Sequence, residues 1–595
     1  MHSQAISLVL FALVSLALAL PSTKRASGVT TDPSQANGQS FDYIVIGAGL
    51  TGTTVTARLA EDSSVTVLLI EAGGDDRGDP RVYDIYAYGQ AFGSELVWSW
   101  PTDGGLKSIA GGKTLGGSSS INGGAYTRGL DAQFDAWSSL LEEDEASAEW
   151  SWESIFSYMK KSETFSPPNE QQSEKGAQYI EEYHGYAGPV QVTYPDQMYV
   201  STTPLTIDWH HGDNRSSSVE AYLTPVEDAR PNWLTLVEHQ VTKINWANAD
   251  SIPLTASGVE FAPASGGSPR YTAFANREVI VACGAIQSPA LLQLSGIGDS
   301  NVLGPLGIST YIDLKTVGKN LQEQTMNSLG VIRKDFDTGG DGPSDAIAYP
   351  NIYQVFGGKA ADSISKIQSN LSSWATSQAG SALNADALQQ IYRVQADLII
   401  NKNAPIVEYF FDTGYPDCGA SVSTLGINQW QLLPFSRGTV HISTTNPFTH
   451  PTINVNYFSV DWDLDVQIAS ARLSRTVLST GECQPAGDVP DDADRGSEED
   501  WAAWIRCTFF AVSHPIGTLA MMKRSLGGVV DSQLKVYDAS NIRVVDASVM
   551  PLQVSAHLAA SLYGVAEKAA DLIKASYRAS CGVCLASDQV LFNVQ

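Results

Sequence analysis

The sequence predicts an α/β fold in which a doubly wound parallel sheet is interrupted by a second domain. The apolar run "DYIVIGAG", a helical stretch and the run "VTVLLIEAGG" follow one another closely, and two similar runs, "REVIVACG" and "NIRVVDAS", lie far downstream. Buried parallel strands read as continuous apolar runs, and strand, turn, helix and strand in this order form the unit of a doubly wound sheet. The parallel-sheet domain is therefore predicted to be discontinuous in sequence.

The chain is expected to alternate between two domains. With 595 residues it is longer than one hydrophobic core usually organises. The stretches between the strand-like runs are rich in Trp, Tyr, Pro and charge, which suits a second, separate layer. The parallel-sheet domain is predicted to take residues 41–134, 275–328 and 525–578. The second domain is predicted to take residues 135–274 and 329–524, and a C-terminal tail residues 579–595.

The N-terminus has the features of a secretory signal peptide. An apolar or small-residue run extends from Ile6 to Leu20, with Ala17-Leu18-Ala19 before a proline. Such a run is too short for a comfortable membrane span and carries a small-residue cleavage pattern. We therefore predict that residues 1–19 are removed on export and that the protein is secreted or held in the cell wall.

Composition limits the partners of the chain. A formal charge of −28 repels phosphate backbones and anionic lipid headgroups, and no later run reaches transmembrane length, so neither nucleic acid nor stable membrane insertion is expected. Sequons at Asn214 and Asn370 fit a secreted glycoprotein. The motif Cys581-Gly-Val-Cys584 has no second pair to complete a metal site, and no metal is predicted.

The stretch "FDYIVIGAGLTG" predicts a dinucleotide-binding turn. Gly47, Gly49 and Gly52 follow the spacing in which the first glycine permits a tight turn, the second lets the backbone approach a pyrophosphate, and the third lets helix pack on strand. The helix N-terminus offers unpaired N–H groups to the phosphates. Glu71, at the end of the next strand, is placed to accept hydrogen bonds from ribose hydroxyls, which disfavours NADP. FAD and NAD remain open, beside a glycine turn that binds no ligand.

A second glycine-rich segment makes the interpretation specific. The segment "GGKTLGGSSSINGGAYTRG" offers backbone and side-chain donors to an extended ligand and suits a flavin lying across the sheet. With "FDYIVIGAGLTG", "ACGAIQSPALLQLSGIG", "GKNLQEQ", "HPIGTLAMM" and "RVVDASVMPLQVSAHLAASLYGVAEKAADLI", it resembles the glucose-methanol-choline (GMC) family of FAD oxidoreductases, nearest to the fungal glucose oxidase and FAD-glucose dehydrogenase branch. The resemblance implies FAD as cofactor, an FAD-binding parallel-sheet domain, and a substrate domain built on an antiparallel sheet and helices.

The resemblance also implies which residues contact the cofactor. They lie in the two glycine-rich segments, in one strand of the middle region and after the last strand of the sheet. These residues are Leu50, Thr51, Glu71, Ser118, Asn122, Gly123, Ala125, Val241, Asp546 and Ala547. The residues themselves support Glu71 independently, and Asp546 as a carboxylate at the carboxyl end of a strand, where doubly wound folds place ligands.

Two histidines in otherwise apolar settings are the candidate catalytic pair. Moving a hydride from carbon to the flavin N5 requires the hydroxyl proton to leave at about the same time, and a neutral imidazole suits that proton. The resemblance implies that His514 in "FFAVSHPIGT" accepts the proton and that His557 in "LQVSAHLAAS" hydrogen-bonds the alkoxide. It also implies that Glu408 in "APIVEYFFDTG" orients His557. From the residues alone, core histidines and a surface glutamate remain alternatives.

Two residues before the first histidine depart from the glucose-acting relatives. Those relatives carry an arginine and an asparagine that bind sugar hydroxyls, where this chain has Phe510 and Val512. Each sugar hydroxyl left unpaired against hydrocarbon costs about 1–3 kcal/mol. We therefore predict an aromatic, allylic or otherwise apolar alcohol as the substrate, such as a secondary-metabolite intermediate, with oxygen or a quinone-like compound as electron acceptor. Two alternatives stay open: a sugar oxidase or dehydrogenase of the same family, and a secreted flavin-binding protein without activity.

Overall fold

The computed structural model describes residues 28–143, 145, 149–196, 202–332, 346–380, 383–413, 424–479, 484–486 and 496–580. The predicted signal peptide and the Cys581-Gly-Val-Cys584 motif lie outside these residues. Within the described part of the chain, no helix combines the length and the apolar character needed to cross a membrane.

The largest sheet is the predicted parallel one. Ser40–Ile46 pairs in parallel with Val67–Ile70 on one side and with Tyr271–Val281 on the other, and Tyr271–Val281 also pairs in parallel with Ile542–Val544. The remaining strands of this sheet are Val29–Thr30, Trp233–Leu236, His239–Asn248 and Thr255–Pro263. Strands from distant parts of the sequence thus meet in one sheet, which confirms the predicted doubly wound fold class.

Helices cover this sheet and explain its continuous apolar runs. Every residue of Val67–Ile70 is buried, as expected for a parallel strand with both faces covered. Leu50–Leu59 contacts this strand and Ser40–Ile46, and it also packs against Leu558–Ser580. The glycine turn and the last helix of the fold are therefore fixed on the same sheet.

The large sheet also takes strands from residues 135–274, which the sequence analysis assigned to the second domain. Trp233–Leu236 pairs in parallel with Val67–Ile70, while His239–Asn248 and Thr255–Pro263 extend the sheet in antiparallel fashion beyond Tyr271–Val281. The boundary prediction was wrong for these strands, because their alternation of polar and apolar residues gives a strand but does not reveal which sheet it joins.

A second, antiparallel sheet forms the core of the predicted substrate domain. Thr325–Ile332 pairs with Thr424–Gln431, which pairs in turn with Val407–Thr413. Its shorter strands are Ala346–Ala348, Gln484–Ala486 and Phe510–Ala511. The helix Asp461–Leu478 packs against this sheet. Side chains at alternate positions of the three long strands share one face, and that face meets the parallel-sheet domain at the site described below.

Smaller elements complete the fold. A five-stranded sheet contains Lys319–Leu321, Gly438–His441, Thr452–Asn454, Val97–Thr102 and Lys107–Gly112. Three strand pairs are Glu163–Phe165 with Val190–Val192, Ile207–Asp208 with Asn214–Arg215, and Ile297–Gly298 with Ile312–Asp313. The other α-helices in the described residues are Pro80–Tyr83, Asp131–Ser139, Trp152–Ser162, Glu170–Glu174, Gly284–Leu294, Ser300–Leu303, Ile352–Phe356, Ala360–Gln378, Ala385–Ile400 and Glu498–Thr508.

Candidate active site

A cavity of about 670 Å³ extends from the glycine turn to both candidate histidines. The predicted site residues in its wall are Gly47, Gly49, Leu50, Thr51, Glu71, Ser118, Asn122, Gly123, Ala125, Val241, Val512, His514, Asp546, Ala547 and His557. Glu408 does not reach the wall but is bonded to His557. Gly52 and Phe510 lie outside the wall. Residues that are far apart in the sequence are therefore brought together around one elongated space.

The three glycines of the turn differ in the space that is available for a side chain. A Cβ on Gly47 would lie 2.5 Å from the Ala282 carbonyl oxygen, and one on Gly52 would lie 1.9 Å from the Gly47 carbonyl oxygen. Gly49 differs, because a Cβ there would meet no atom within 4 Å. Its missing side chain leaves open space in the cavity wall at the N-terminus of Leu50–Leu59. A pyrophosphate can approach the backbone at this point.

Glu71 is held rigidly in the cavity wall. One of its oxygens accepts the Ala48 N–H and the other the Gly73 N–H, each at 2.8 Å. Burial raises the pKa of its carboxyl group, against the effect of these hydrogen bonds. Because a carboxylate oxygen accepts more than one hydrogen bond, Glu71 retains acceptor capacity for a ribose hydroxyl.

Asp546 accepts four hydrogen bonds from groups around the cavity wall. One oxygen accepts hydrogen bonds from the N–H and the hydroxyl of Ser548, and the other accepts the Gly284 N–H and the Ser288 hydroxyl. These four hydrogen bonds fix the side chain of Asp546 in the cavity wall.

The two histidines stand close together in the wall. Their ring centroids are 5.6 Å apart and the rings are inclined by 76°. Nε2 of His557 is 2.7 Å from a carboxyl oxygen of Glu408, which is fully buried. Burial raises the pKa of Glu408, and the nearby His557 counteracts it. The Nε2 side of His557 is thus committed to Glu408, which leaves Nδ1 for a ligand.

Gln324 determines the tautomer of His514. Its amide Nε2 donates to the Leu432 carbonyl oxygen at 3.0 Å, so its Oε1 must be the atom that lies 2.9 Å from Nδ1 of His514. An amide oxygen only accepts, and Nδ1 therefore carries the proton while Nε2 is free. Burial, with a smaller effect of His557, lowers the pKa of His514 to about 3. At neutral pH His514 is an uncharged imidazole with an available lone pair.

Glu323 holds the main chain at His514. One of its carboxyl oxygens accepts the N–H groups of Gln324, Ser513 and His514 at 2.9–3.1 Å. Ser513 has a φ of +69°, an uncommon value for a residue with a side chain, and its hydroxyl accepts the Ala110 N–H. Burial raises the pKa of Glu323 to about 8. Two consecutive residues of the motif "GKNLQEQ" therefore fix the backbone and the ring of His514.

Apolar side chains form the wall beside the histidines. Val512 lies there, together with Met326, Phe410 and Trp430 from the antiparallel sheet, and Asn428 adds a polar group. The ring of His557 lies 6.1 Å from Phe410 and 5.7 Å from Trp430. Met326, Phe410, Asn428 and Trp430 could not be identified from the sequence because they belong to strands whose pairing is not visible in it.

Phe510, which the sequence predicted to line the substrate pocket, does not line this cavity. Phe510 pairs with Met326 in the edge strand Phe510–Ala511, and 41% of it is exposed. The strand ends at Ala511 and the chain then turns at Ser513, so counting back from His514 does not place both residues on the same wall.

Comparisons with known proteins show the family to which the chain belongs. Two family models, both described as GMC oxidoreductase, match residues 41–326 and 434–566. The chain belongs to the GMC oxidoreductase family, and its cofactor is FAD. The family and the cofactor predicted from the sequence are thus confirmed.

Fungal proteins are among the relatives. The glucose oxidase-like protein fsoC of Humicola fuscoatra is 36% identical over 90% of this chain and 95% of its own length. The glucose oxidase of Aspergillus carbonarius is 34% identical over 95% of this chain and 98% of its own length. Among solved structures, an FAD-dependent oxidoreductase from Chaetomium thermophilum is 26% identical, with a TM-score of 0.80 over 90% of this chain and 100% of that one. A fungal aryl-alcohol oxidase, 24% identical with a TM-score of 0.78 over 90% and 99% of the two chains, shows the shared fold.

Proposed function

We propose that this FAD-dependent oxidoreductase oxidises a primary or secondary alcohol to a carbonyl, with His514 as the base. The observation that carries the proposal is the uncharged His514, whose Nε2 is free, beside His557 in the wall of the cofactor cavity. FAD, when bound, accepts the hydride that leaves the carbon of the alcohol. His514 accepts the hydroxyl proton at Nε2, while Gln324 keeps the other nitrogen protonated.

The Glu408–His557 pair supports the alcohol oxygen. To donate from Nδ1 to the developing alkoxide, His557 needs a proton on Nδ1 and a second proton shared between its Nε2 and Glu408. A pair with these two protons has no net charge, which suits the complete burial of Glu408. The role of Glu408 is then to hold the ring of His557 in its donating state.

The wall beside the histidines supports the proposed substrate class. Val512, Met326, Phe410 and Trp430 present hydrocarbon and aromatic surface, which favours an aromatic, allylic or otherwise apolar alcohol. A sugar is the second candidate, favoured by the relatives that are named glucose oxidases and by Asn428 in the wall. Oxygen or a quinone-like compound takes the electrons in either case.

Anaerobic bleaching of the flavin absorbance tests both candidates. The purified holoenzyme is mixed with matched panels of aryl or allylic alcohols and of sugars, and bleaching by the first panel supports the proposal. Bleaching by sugars alone would assign the protein to the second candidate, and no bleaching by any compound would contradict both. Val512→Asn is expected to increase bleaching by sugars, whereas Phe510→Arg, outside the wall, is the matched control and should leave it unchanged.

We also propose that the protein is secreted. The support is the apolar run from Ile6 to Leu20, followed directly by a proline. Deleting residues 1–19 is expected to keep the protein inside the producing cell, as measured by flavin absorbance in the medium and in the cell extract. Undiminished export of the deleted chain would contradict the proposal.

A further inference from the structure

Among the residues that the structure describes, three arginines are almost completely buried, and one of them has a guanidinium nitrogen without a hydrogen-bond partner. Arg543 is paired with the Glu278 carboxylate at 2.7 Å. Arg437 has hydrogen-bond acceptors for all three guanidinium nitrogens, among them the amide oxygen of Gln395. Arg215, only 2% exposed, has no carboxylate at ion-pair distance and no hydrogen-bond partner for Nη2 within the described residues. An isolated buried charge is costly, so it requires a compensating group.

The other bonds of Arg215 lead to the cofactor cavity. Nε donates to the Val82 carbonyl oxygen, and Nη1 donates both to the main-chain oxygen of Asn122 and to its side-chain Oδ1, the last at 2.9 Å. The Gly124 N–H also donates to Oδ1 of Asn122, at 3.0 Å. Both neighbours are donors, so the amide oxygen must face them and only the NH₂ of Asn122 remains for a ligand. Asn122 lies in the cavity wall.

Asn122 stands between the two ends of the cofactor site. The segment that carries it begins beside the glycine turn, where a Cβ on Gly117 would lie 2.7 Å from Cα of Gly49. It continues to Thr127, whose hydroxyl accepts the main-chain N–H of His557. An extended FAD that reaches from the turn to the histidines must therefore pass this segment.

We propose that Arg215 is a positioning residue for FAD: it fixes Asn122 so that the amide NH₂ donates to the cofactor, and the negative charge of FAD balances the buried guanidinium. Asp84 and Tyr88 are the other ionisable groups that act on this guanidinium, and neither forms an ion pair with it. Burial lowers the pKa of Arg215 only to about 10, so the charge is present at neutral pH.

Reconstitution of the flavin-free full-length protein with FAD tests the proposal without any substrate. We expect Arg215→Met to weaken FAD binding by about tenfold or more, the equivalent of losing one charged hydrogen-bonded contact. Arg437→Met, a buried arginine away from the cavity wall, is the matched control and should leave the dissociation constant of FAD nearly unchanged. Arg215→Lys keeps the charge without the two-pronged contact and should bind with intermediate affinity. Equal losses of FAD affinity in the Arg215→Met and Arg437→Met proteins would overturn the proposal. Wild-type FAD affinity in Arg215→Met would also overturn it.

Two further readouts separate positioning from general stability. In an Asn122→Ala background, Arg215→Met should weaken FAD binding much less than it does in the wild-type background. Fully additive losses of FAD binding free energy would contradict action through Asn122. The flavin midpoint potential should fall in Arg215→Met and stay near the wild-type value in Arg215→Lys, because removing a nearby positive charge disfavours the reduced, more negative flavin. An unchanged potential in Arg215→Met would contradict the charge-balancing role. If Arg215→Met yields no folded protein, the dissociation constant of FAD is measured for Arg215→Lys and Asn122→Ala instead, and wild-type affinity in both would overturn the proposal.

Discussion

Replacing Gln324 by methionine tests the assignment of the base. The amide oxygen of Gln324 is the acceptor for Nδ1 of His514 at 2.9 Å, and methionine offers a side chain of similar length without that acceptor. A buried donor left without a partner costs about 1–3 kcal/mol. The tautomer of His514 with the proton on Nε2 then becomes the more stable one, and Nε2 is the nitrogen that has to accept the proton of the alcohol. Because each 1.36 kcal/mol is a factor of ten in rate, flavin reduction should slow by about 5- to 150-fold.

The assay is stopped-flow reduction of bound flavin under anaerobic conditions, at saturating alcohol. The change should appear in the limiting rate with little change in the half-saturating concentration, since Gln324 acts on the proton acceptor. Gln395→Met is the matched control: Gln395 is also a buried amide that donates to carbonyl oxygens, of Leu433 and Pro434, but it touches neither histidine. A limiting rate within twofold of wild type in Gln324→Met, or an equal loss in Gln395→Met, would refute the tautomer argument.

Three further predictions follow from the same site. His514→Ala should retain FAD while flavin reduction slows by about two orders of magnitude or more, the usual loss for a general base, and fast reduction would contradict the assignment. The pKa of His514 is lowered from 6.5 to about 3, so the imidazole stays uncharged at pH values well below 6.5. The rate of flavin reduction should therefore remain level between about pH 7 and pH 5. A decline in this rate centred near pH 6.5 would show a histidine with an ordinary pKa. The pKa of Glu323 is raised from 4.5 to about 8, so the folded state binds its proton more tightly than the unfolded state, and the contribution of Glu323 to the stability of the protein falls as pH rises through that interval. In urea unfolding, Glu323→Gln should therefore show a smaller decrease in the free energy of unfolding across the interval than wild type. Identical pH dependence in the two proteins would contradict the raised pKa.

The sequence predicted the parts of the molecule that depend on local signals. Gly47 and Gly52 each leave no room for a Cβ beside one close neighbour, whereas Gly49 leaves open space, and the pattern of the three glycines predicted the turn. His514 and His557 were found because each stands in a distinctive motif. Their meeting at 5.6 Å depends on the whole fold, and it was predicted through the family resemblance rather than through any local rule.

Features set by tertiary packing escaped prediction. Gln324 lies in a motif that the sequence analysis quoted, but its role depends on the Leu432 carbonyl oxygen, which fixes the amide orientation from a different strand. Phe510 was assigned to the pocket by counting along the chain, and the end of the edge strand at Ala511 turned it outward. The role of Arg215 could not be predicted, because the sequence does not show whether an arginine is buried or exposed.

The interleaved order of the strands has a consequence for synthesis on the ribosome. Ile542–Val544 belongs to the same sheet as Ser40–Ile46, and it pairs with Tyr271–Val281 near the middle of the chain. The first half of the protein emerges with its glycine turn in place but without the strand that precedes Asp546 and without either histidine. Nascent chains must therefore keep an open sheet edge until almost the whole protein has been made, which exposes them to unwanted strand pairing. The cavity wall, which combines Gly49 with Asp546, is complete only when the two ends of the polypeptide have come together.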